Sequence, residues 1–177
     1  MSASGGPAES PAEPPSQSTA ELAAEIIRRL TAAGKTVAVA ESLTGGLVTG
    51  ALTAVPGSSV VVRGGIVAYA TELKAVLLGV PAGLLAEHGP VHPGVAAAMA
   101  SGVRQRLGAD YGLATTGVAG PGPADGQPQG TVFVAVDRPA GPAGLGLRLP
   151  GDRAQVREES VRSVLSVLLR AVREDSC

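Results

Sequence analysis

The segment Ala40-Glu41-Ser42-Leu43-Thr44-Gly45-Gly46 puts a serine two residues after an apolar run and just ahead of a glycine pair. Two uses of that serine stand side by side. Its hydroxyl can attack a carbonyl while backbone N–H groups of the Leu43 to Gly46 turn stabilise the oxyanion, or its side chain can cap the helix that follows. Position three after Ser42 is Gly45, so a capping box is incomplete. The glycine pair also costs a helix on the order of 1–2 kcal/mol, which close approach of a ligand explains better than architecture.

A serine nucleophile needs a base. His88 and His92 are the only histidines and flank the loop His88-Gly89-Pro90-Val91-His92, which disfavours a Ser-His-Asp triad. Lysine is as scarce, with Lys35 and Lys74 the only two among 14 Lys and Arg residues. Lysine can lose its proton when buried and arginine cannot, so Lys74 is the candidate base, its pKa lowered towards neutrality by desolvation. Tyr69, five residues earlier, can orient the lysine by hydrogen bonding or stack on a flat substrate. The plainer alternatives are a solvated lysine on a helix and an ordinary boundary aromatic.

A third segment, Thr115-Thr116-Gly117-Val118-Ala119-Gly120-Pro121-Gly122, leaves a strand for a flexible loop, as anion-contacting loops do. It lacks the lysine and spacing of a P-loop, and no helix opens after it as a dinucleotide fingerprint requires. Arg153, at the start of the last helix, is either a phosphate ligand for that loop or a surface charge. Paired carboxylates and metal-ligand clusters are absent from the sequence, so no metal and no cofactor are expected. Cys177 is the single cysteine, which rules out an internal disulfide.

The elements that must position these residues are readable from periodicity. Ser18-Thr19-Ala20-Glu21 is a capping box opening a helix with Leu22, Ile26, Ile27 and Leu30 on one face, ended by Gly34. Thr36 to Ala40 is a short apolar run, the pattern of a buried strand in a helix-covered sheet. Leu43 to Val55, with Leu47, Ala51 and Val55 at four-residue spacing, predicts a helix that stops at Pro56-Gly57. Gly64 to Tyr69 is a strand and Thr71 to Leu78 a short helix carrying Lys74. Pro93 opens a helix in which Val95, Met99, Val103 and Leu107 recur. Asp110 to Thr116, Thr131 to Val136 and Leu145 to Leu149 are strands, the last two adjacent. A closing helix from about Asp152 buries Val161, Val164, Leu165, Leu168 and Val172. Alternating helices and strands, with two strands in succession, predict a three-layer α/β/α sandwich around a mixed, largely parallel sheet.

Composition narrows the function classes. Residues 1–17 are Ala, Ser, Pro, Gly, Glu and Gln-rich, and are expected to be a disordered tail, followed by one domain over 18–173 and a short C-terminal tail at 174–177. Hydrophobic residues make up 45% but aromatics only 2%, so Ala, Val and Leu must build the core. A net charge of −1 offers no field for nucleic acid. No apolar stretch reaches the roughly 18 residues of a membrane span, and no signal peptide is evident. A cytoplasmic protein with a small-molecule partner, binding neither nucleic acid nor membrane, is expected.

Taken together, Ala40 to Gly46, Gly64 to Tyr69 with Lys74, Thr116-Gly117-Val118-Ala119-Gly120-Pro121 and Gly151-Asp152-Arg153 resemble, in order and spacing, the CinA C-terminal domain family of nicotinamide mononucleotide deamidases, in its stand-alone form. That resemblance implies a homo-oligomeric amidohydrolase of pyridine nucleotide salvage. It would convert nicotinamide mononucleotide to nicotinate mononucleotide and ammonia by a metal-independent Ser/Lys mechanism. Carried over by position, Ser42 resembles the nucleophile, Lys74 its base, Tyr69 the partner orienting the dyad or the ring, Thr116 an active-site hydroxyl and Arg153 the phosphate ligand. Thr44, Gly45, Gly46 and Gly117 complete the expected substrate contacts. The sequence departs from the family at His92, where relatives usually have serine; Pro93 is expected to fix that helix start instead. The loop 123–129 also lacks a lysine that relatives often carry, which bears on phosphate affinity and substrate choice. Two alternatives remain open: a nucleotide-binding or regulatory module without turnover, linked to competence or the DNA-damage response, and a hydrolase for another amide.

Overall fold

The computed structural model describes residues 17–176; most of the segment 1–17 expected as a tail, and Cys177, lie outside the described residues. Helix α1, Thr19–Ala33, begins with the expected capping box: Ser18 Oγ accepts from Glu21 N–H at 3.2 Å, and the Glu21 carboxylate accepts from Ser18 N–H at 2.8 Å. Gly34 ends it in the left-handed conformation, φ 60°. Strand β1, Val37–Glu41, is buried along its whole length. The next helix, α2, is shorter than the periodicity predicts and spans Leu47–Thr53, with residues 42–46 forming turns. Its buried residues are Val48 and Leu52, whereas Leu47 is exposed.

Strand β2 is Val62–Val67, followed by α3, Thr71–Leu78. A helix not expected from the sequence, α4 at Ala82–His88, precedes α5 at Pro93–Leu107. Strands β3, Tyr111–Gly117, β4, Thr131–Asp137, and β5, Ala143–Arg148, lead to α6, Arg153–Glu174. Asp152 and Gln155 form a second capping box at the start of α6. All five of its anticipated core residues, Val161, Val164, Leu165, Leu168 and Val172, are buried.

The strand order is β2-β1-β3-β4-β5. Strands β2, β1 and β3 are parallel, and the β4–β5 hairpin joins antiparallel, so the sheet is mixed as expected. Alternation along the strands sends Val37, Val39 and Leu113 to the layer of α1, α2 and α6, and Ala38, Ala40 and Ala114 to the layer of α3, α4 and α5. The three-layer architecture follows directly. Small residues on the second face let α5 lie close: a Cβ on Gly112 would fall 2.1 Å from the Ala100 carbonyl oxygen.

This order fixes where a ligand can sit. From β1 the chain crosses through α2 to β2 on one side, while β3 lies on the other side of β1. The crevice beyond the carboxyl ends of β1 and β3 is therefore the topological switch point of the sheet. Glu41 pairs with Thr115 there, and Ser42 N–H donates to Thr115 O at 3.1 Å. No helix among the described residues is long and apolar enough to cross a membrane.

Candidate active site

Ser42 stands at the switch point, and two charged side chains that sequence reasoning passed over hold the turn after it. Glu41 is fully buried, so its carboxylate must be hydrogen-bonded to be tolerated. One oxygen accepts from Gly46 N–H and Val48 N–H at 2.9 and 3.0 Å, the other from Thr49 N–H and Thr49 Oγ1 at 2.8 and 2.7 Å. Glu41 thus collects the free N–H groups at the start of α2. Arg157 of α6 donates from Nε to Leu43 O at 3.0 Å and from Nη2 to Thr44 O at 3.1 Å. Gly45 N–H donates to Ser42 O at 3.0 Å and closes a β-turn. Among the described residues, only the N–H groups of Leu43 and Thr44 in this turn are without a hydrogen-bond partner. The sequence did carry a signal for both charged residues: an acidic residue ending an apolar strand, and an arginine four residues after Arg153 on one helix face.

The three expected substrate contacts in this turn are placed differently from one another: Thr44 turns its side chain away and leaves only its backbone N–H unpaired, and the two glycines have their N–H groups engaged. Thr44 is buried, with Oγ1 2.7 Å from Thr115 Oγ1. Gly45 and Gly46 have φ of 59° and 102°, and neither lines the cavity beside Ser42. Backbone conformation, not ligand approach, accounts for the glycine pair. A side chain in the left-handed region would cost about 1 kcal/mol or more.

Lys74 lies on α3 and is 1% exposed, a position that β2 and the short bend at 68–70 place against Ser42. Its Nζ is 3.1 Å from Ser42 Oγ, 2.8 Å from Ala68 O and 3.4 Å from Tyr69 O. A neutral amine has two N–H donors and one lone pair. In that form, donors on the two carbonyls would leave the lone pair to the serine hydroxyl, the arrangement of a general base; in the protonated form Nζ donates to Ser42 Oγ. Burial pushes the Lys74 pKa down, opposed by the charges of Asp125 and Glu72.

Ser42 and Lys74 open into a cavity of about 200 Å³ lined by Tyr69, Pro90, Val91, Thr116 and residues 117–122, with Asp125 and Arg153 also bordering it. Of the other expected site residues, Thr116, Gly117, Tyr69 and Arg153 all reach this cavity. Their bonds differ from the simplest expectation. Thr116 donates its hydroxyl proton to Pro90 O at 2.8 Å, so it braces the loop ahead of α5. Tyr69 meets Lys74 through its backbone oxygen, while its hydroxyl accepts from Arg153 Nη2 at 3.1 Å. Arg153 Nη1 also donates to Gly120 O at 2.8 Å, spanning the cavity mouth. Neither histidine lines the cavity: their rings stack with centroids 4.3 Å apart, and His92 Nδ1 accepts from Gly94 N–H to cap α5. The helix start therefore uses both His92 and Pro93, rather than Pro93 in place of a capping side chain. Asp125 is followed by Gly126 at the tip of a tight turn closed by mutual Ala124 and Gln127 backbone bonds of 3.0 and 2.9 Å.

Comparison with known proteins gives a consistent picture. Residues 19–172 match the family model described as the CinA C-terminal domain. A CinA-like protein of Frankia casuarinae is 54% identical over 145 residues, covering 82% of this chain and 34% of that protein. A putative competence-damage inducible protein of Desulforamulus reducens is 46% identical over 138 residues, covering 78% of this chain and 34% of its own length. The chain thus spans about a third of these curated relatives. Among solved structures, a CinA superfamily protein from Klebsiella pneumoniae superposes with a TM-score of 0.85 at 33% identity, over 89% of this chain and 99% of that one. The competence/damage inducible protein CihA from Agrobacterium tumefaciens gives 0.83 at 38% identity, over 88% and 95%.

Proposed function

This chain belongs to the CinA C-terminal domain family, and from that premise we propose that it is an amidohydrolase converting nicotinamide mononucleotide to nicotinate mononucleotide and ammonia. The observation that carries the reading is the buried amine of Lys74, 3.1 Å from Ser42 Oγ and held by two carbonyl oxygens. It supports acyl transfer through serine; the identity of the amide rests on the family resemblance.

In the proposed sequence Lys74 Nζ takes the Ser42 hydroxyl proton as Oγ bonds to the carboxamide carbon. The oxygen of that carbonyl becomes an oxyanion, received by the partnerless N–H of Leu43, which borders the cavity, with Thr44 N–H beside it. Lys74 then gives the proton to the departing nitrogen, the C–N bond breaks, and ammonia leaves a Ser42 ester. A water molecule, losing a proton to Lys74, attacks the ester; as the tetrahedral species collapses Lys74 returns that proton to Ser42 Oγ, and the acid leaves as the carboxylate, its proton passing to solvent. One lysine serves as base and acid in turn, and no histidine is required. Arg153 and the loop 117–122 form the end of the cavity suited to the phosphate, once Arg153 exchanges its bonds to Gly120 O and Tyr69 Oη for the anion.

The test is incubation of purified protein with nicotinamide mononucleotide and assay of both products. Equal amounts of ammonia and nicotinate mononucleotide are expected, and Ser42→Ala and Lys74→Ala should each abolish them. No turnover of this amide, together with turnover of another in a substrate panel, would overturn the substrate and keep the chemistry.

A further inference from the structure

We propose that Arg157 is a positioning residue for the oxyanion site: it fixes the peptide planes after Ser42 so that the Leu43 and Thr44 N–H groups stay available to the substrate oxygen. The inference rests on the Ser42 acyl-transfer reading above and concerns a residue that does not itself line the cavity but bonds Leu43, which does. Its guanidinium donates to two successive carbonyls, Leu43 O and Thr44 O, and makes no ion pair with a carboxylate among the described residues. Arginines in this chain otherwise repeatedly bind carboxylates, as Arg138 does with Glu174 and Asp175.

The peptide between Leu43 and Thr44 is the central unit of the turn closed by the Gly45 N–H to Ser42 O bond. Turns of types I and II differ by a flip of that central peptide, at little cost to the closing bond. In a trans peptide C=O and N–H point in opposite senses. Holding Leu43 O against α6 therefore decides which way Thr44 N–H faces. A flip would exchange a donor for a carbonyl dipole beside the developing negative charge. The bond from a guanidinium also polarises the peptide and strengthens its N–H as a donor. A Cβ on Gly45 would meet Arg157 Nη2 at 3.4 Å, an ordinary contact, so it is the φ of 59° and not the guanidinium that calls for glycine there. Glu41 secures the N–H groups further along, so one charge holds the N–H groups and the other the carbonyls of one continuous segment.

The experiment compares wild type with Arg157→Lys and Arg157→Ala in two reactions. One is steady-state hydrolysis of nicotinamide mononucleotide; the other is the rate of Ser42 phosphonylation by a fluorophosphonate, followed by intact mass, which needs the nucleophile and oxyanion site but not the nucleotide. We expect kcat to fall about 10- to 100-fold with KM within about threefold, since loss of one complete oxyanion donor costs about 10²–10³. Phosphonylation should slow in parallel, and guanidinium ion should partly restore Arg157→Ala. Lysine, a single point donor, should rescue incompletely. A change in KM alone, unchanged kcat and labelling rate, or a rate loss that only tracks a lowered unfolding midpoint and resists guanidinium would each overturn the proposal. Should wild type be phosphonylated yet leave nicotinamide mononucleotide intact, the substrate assignment fails while the labelling rates still decide the role of Arg157.

Discussion

Replacing Lys74 by methionine should change stability in a way that depends on pH, and the sign follows from burial. Lys74 is 1% exposed, and burial holds its pKa below the ordinary 10.5. Between that lowered value and 10.5 the unfolded chain binds a proton at position 74 that the folded chain does not. Stability then rises with pH, by at most about 1.4 kcal/mol per pH unit for a single proton. Below the lowered pKa both states are protonated and the cost of burying the charge is present in full; above 10.5 both are neutral and it is gone. Methionine fills a similar volume and does not titrate. It also leaves Ala68 O without its 2.8 Å donor, an offset of about 1–3 kcal/mol that does not vary with pH. The assay is urea unfolding of both proteins from about pH 6 to about pH 10, read by far-UV circular dichroism because the chain has no tryptophan. Wild type should gain on the Lys74→Met variant as pH rises, whatever the offset. A difference constant over this range, or one that shrinks wild-type stability towards alkaline pH, would refute a neutral Lys74.

Four further substitutions probe the frame. Glu41→Gln keeps one acceptor oxygen and turns an amino group towards N–H donors that now meet a carboxylate; it should cost about 3 kcal/mol or more in urea unfolding and lower activity through the nucleophile turn. Tyr69→Phe removes the hydroxyl that accepts from Arg153 but keeps the backbone oxygen 3.4 Å from Lys74 Nζ. KM should therefore move, by up to about tenfold for about 1.4 kcal/mol, with kcat nearly unchanged; a collapse of kcat would return the phenol to the dyad. Gly102→Ala would drive a Cβ to 1.8 Å from Leu78 O and should cost about 3 kcal/mol, whereas Gly50→Ala, with nothing within 4 Å, should raise the unfolding free energy by about 1 kcal/mol of helix propensity.

Much of this site was legible because the chain is poor in alternatives. With two histidines in one loop and two lysines in all, the inventory alone pointed Ser42 to Lys74. Helices α1 and α6 were readable from their capping boxes and apolar stripes, which are local signals. The nucleophile turn was not, because the apolar spacing of Leu47, Ala51 and Val55 continues into Leu43 and hides the residues at which Glu41 and two positive φ angles start α2 late. Helix α4 escaped notice because it buries no residue fully and so shows no strong stripe. The destination of a hydroxyl proton is likewise a tertiary fact: Thr116 was recognisable as a site residue, but its bond to Pro90 O, 26 residues away, was not. Arg157 is the same case at greater range, 114 residues from Leu43.

The most direct measurement is rapid quench of the protein with nicotinamide mononucleotide, with ammonia timed against nicotinate mononucleotide and the protein mass read at each point. The Ser42/Lys74 mechanism predicts that ammonia appears first, matched by an acyl adduct that maps to Ser42 and is absent from Ser42→Ala. Ammonia and nicotinate mononucleotide formed by Ser42→Ala at the wild-type rate, or an adduct on another residue, would contradict it.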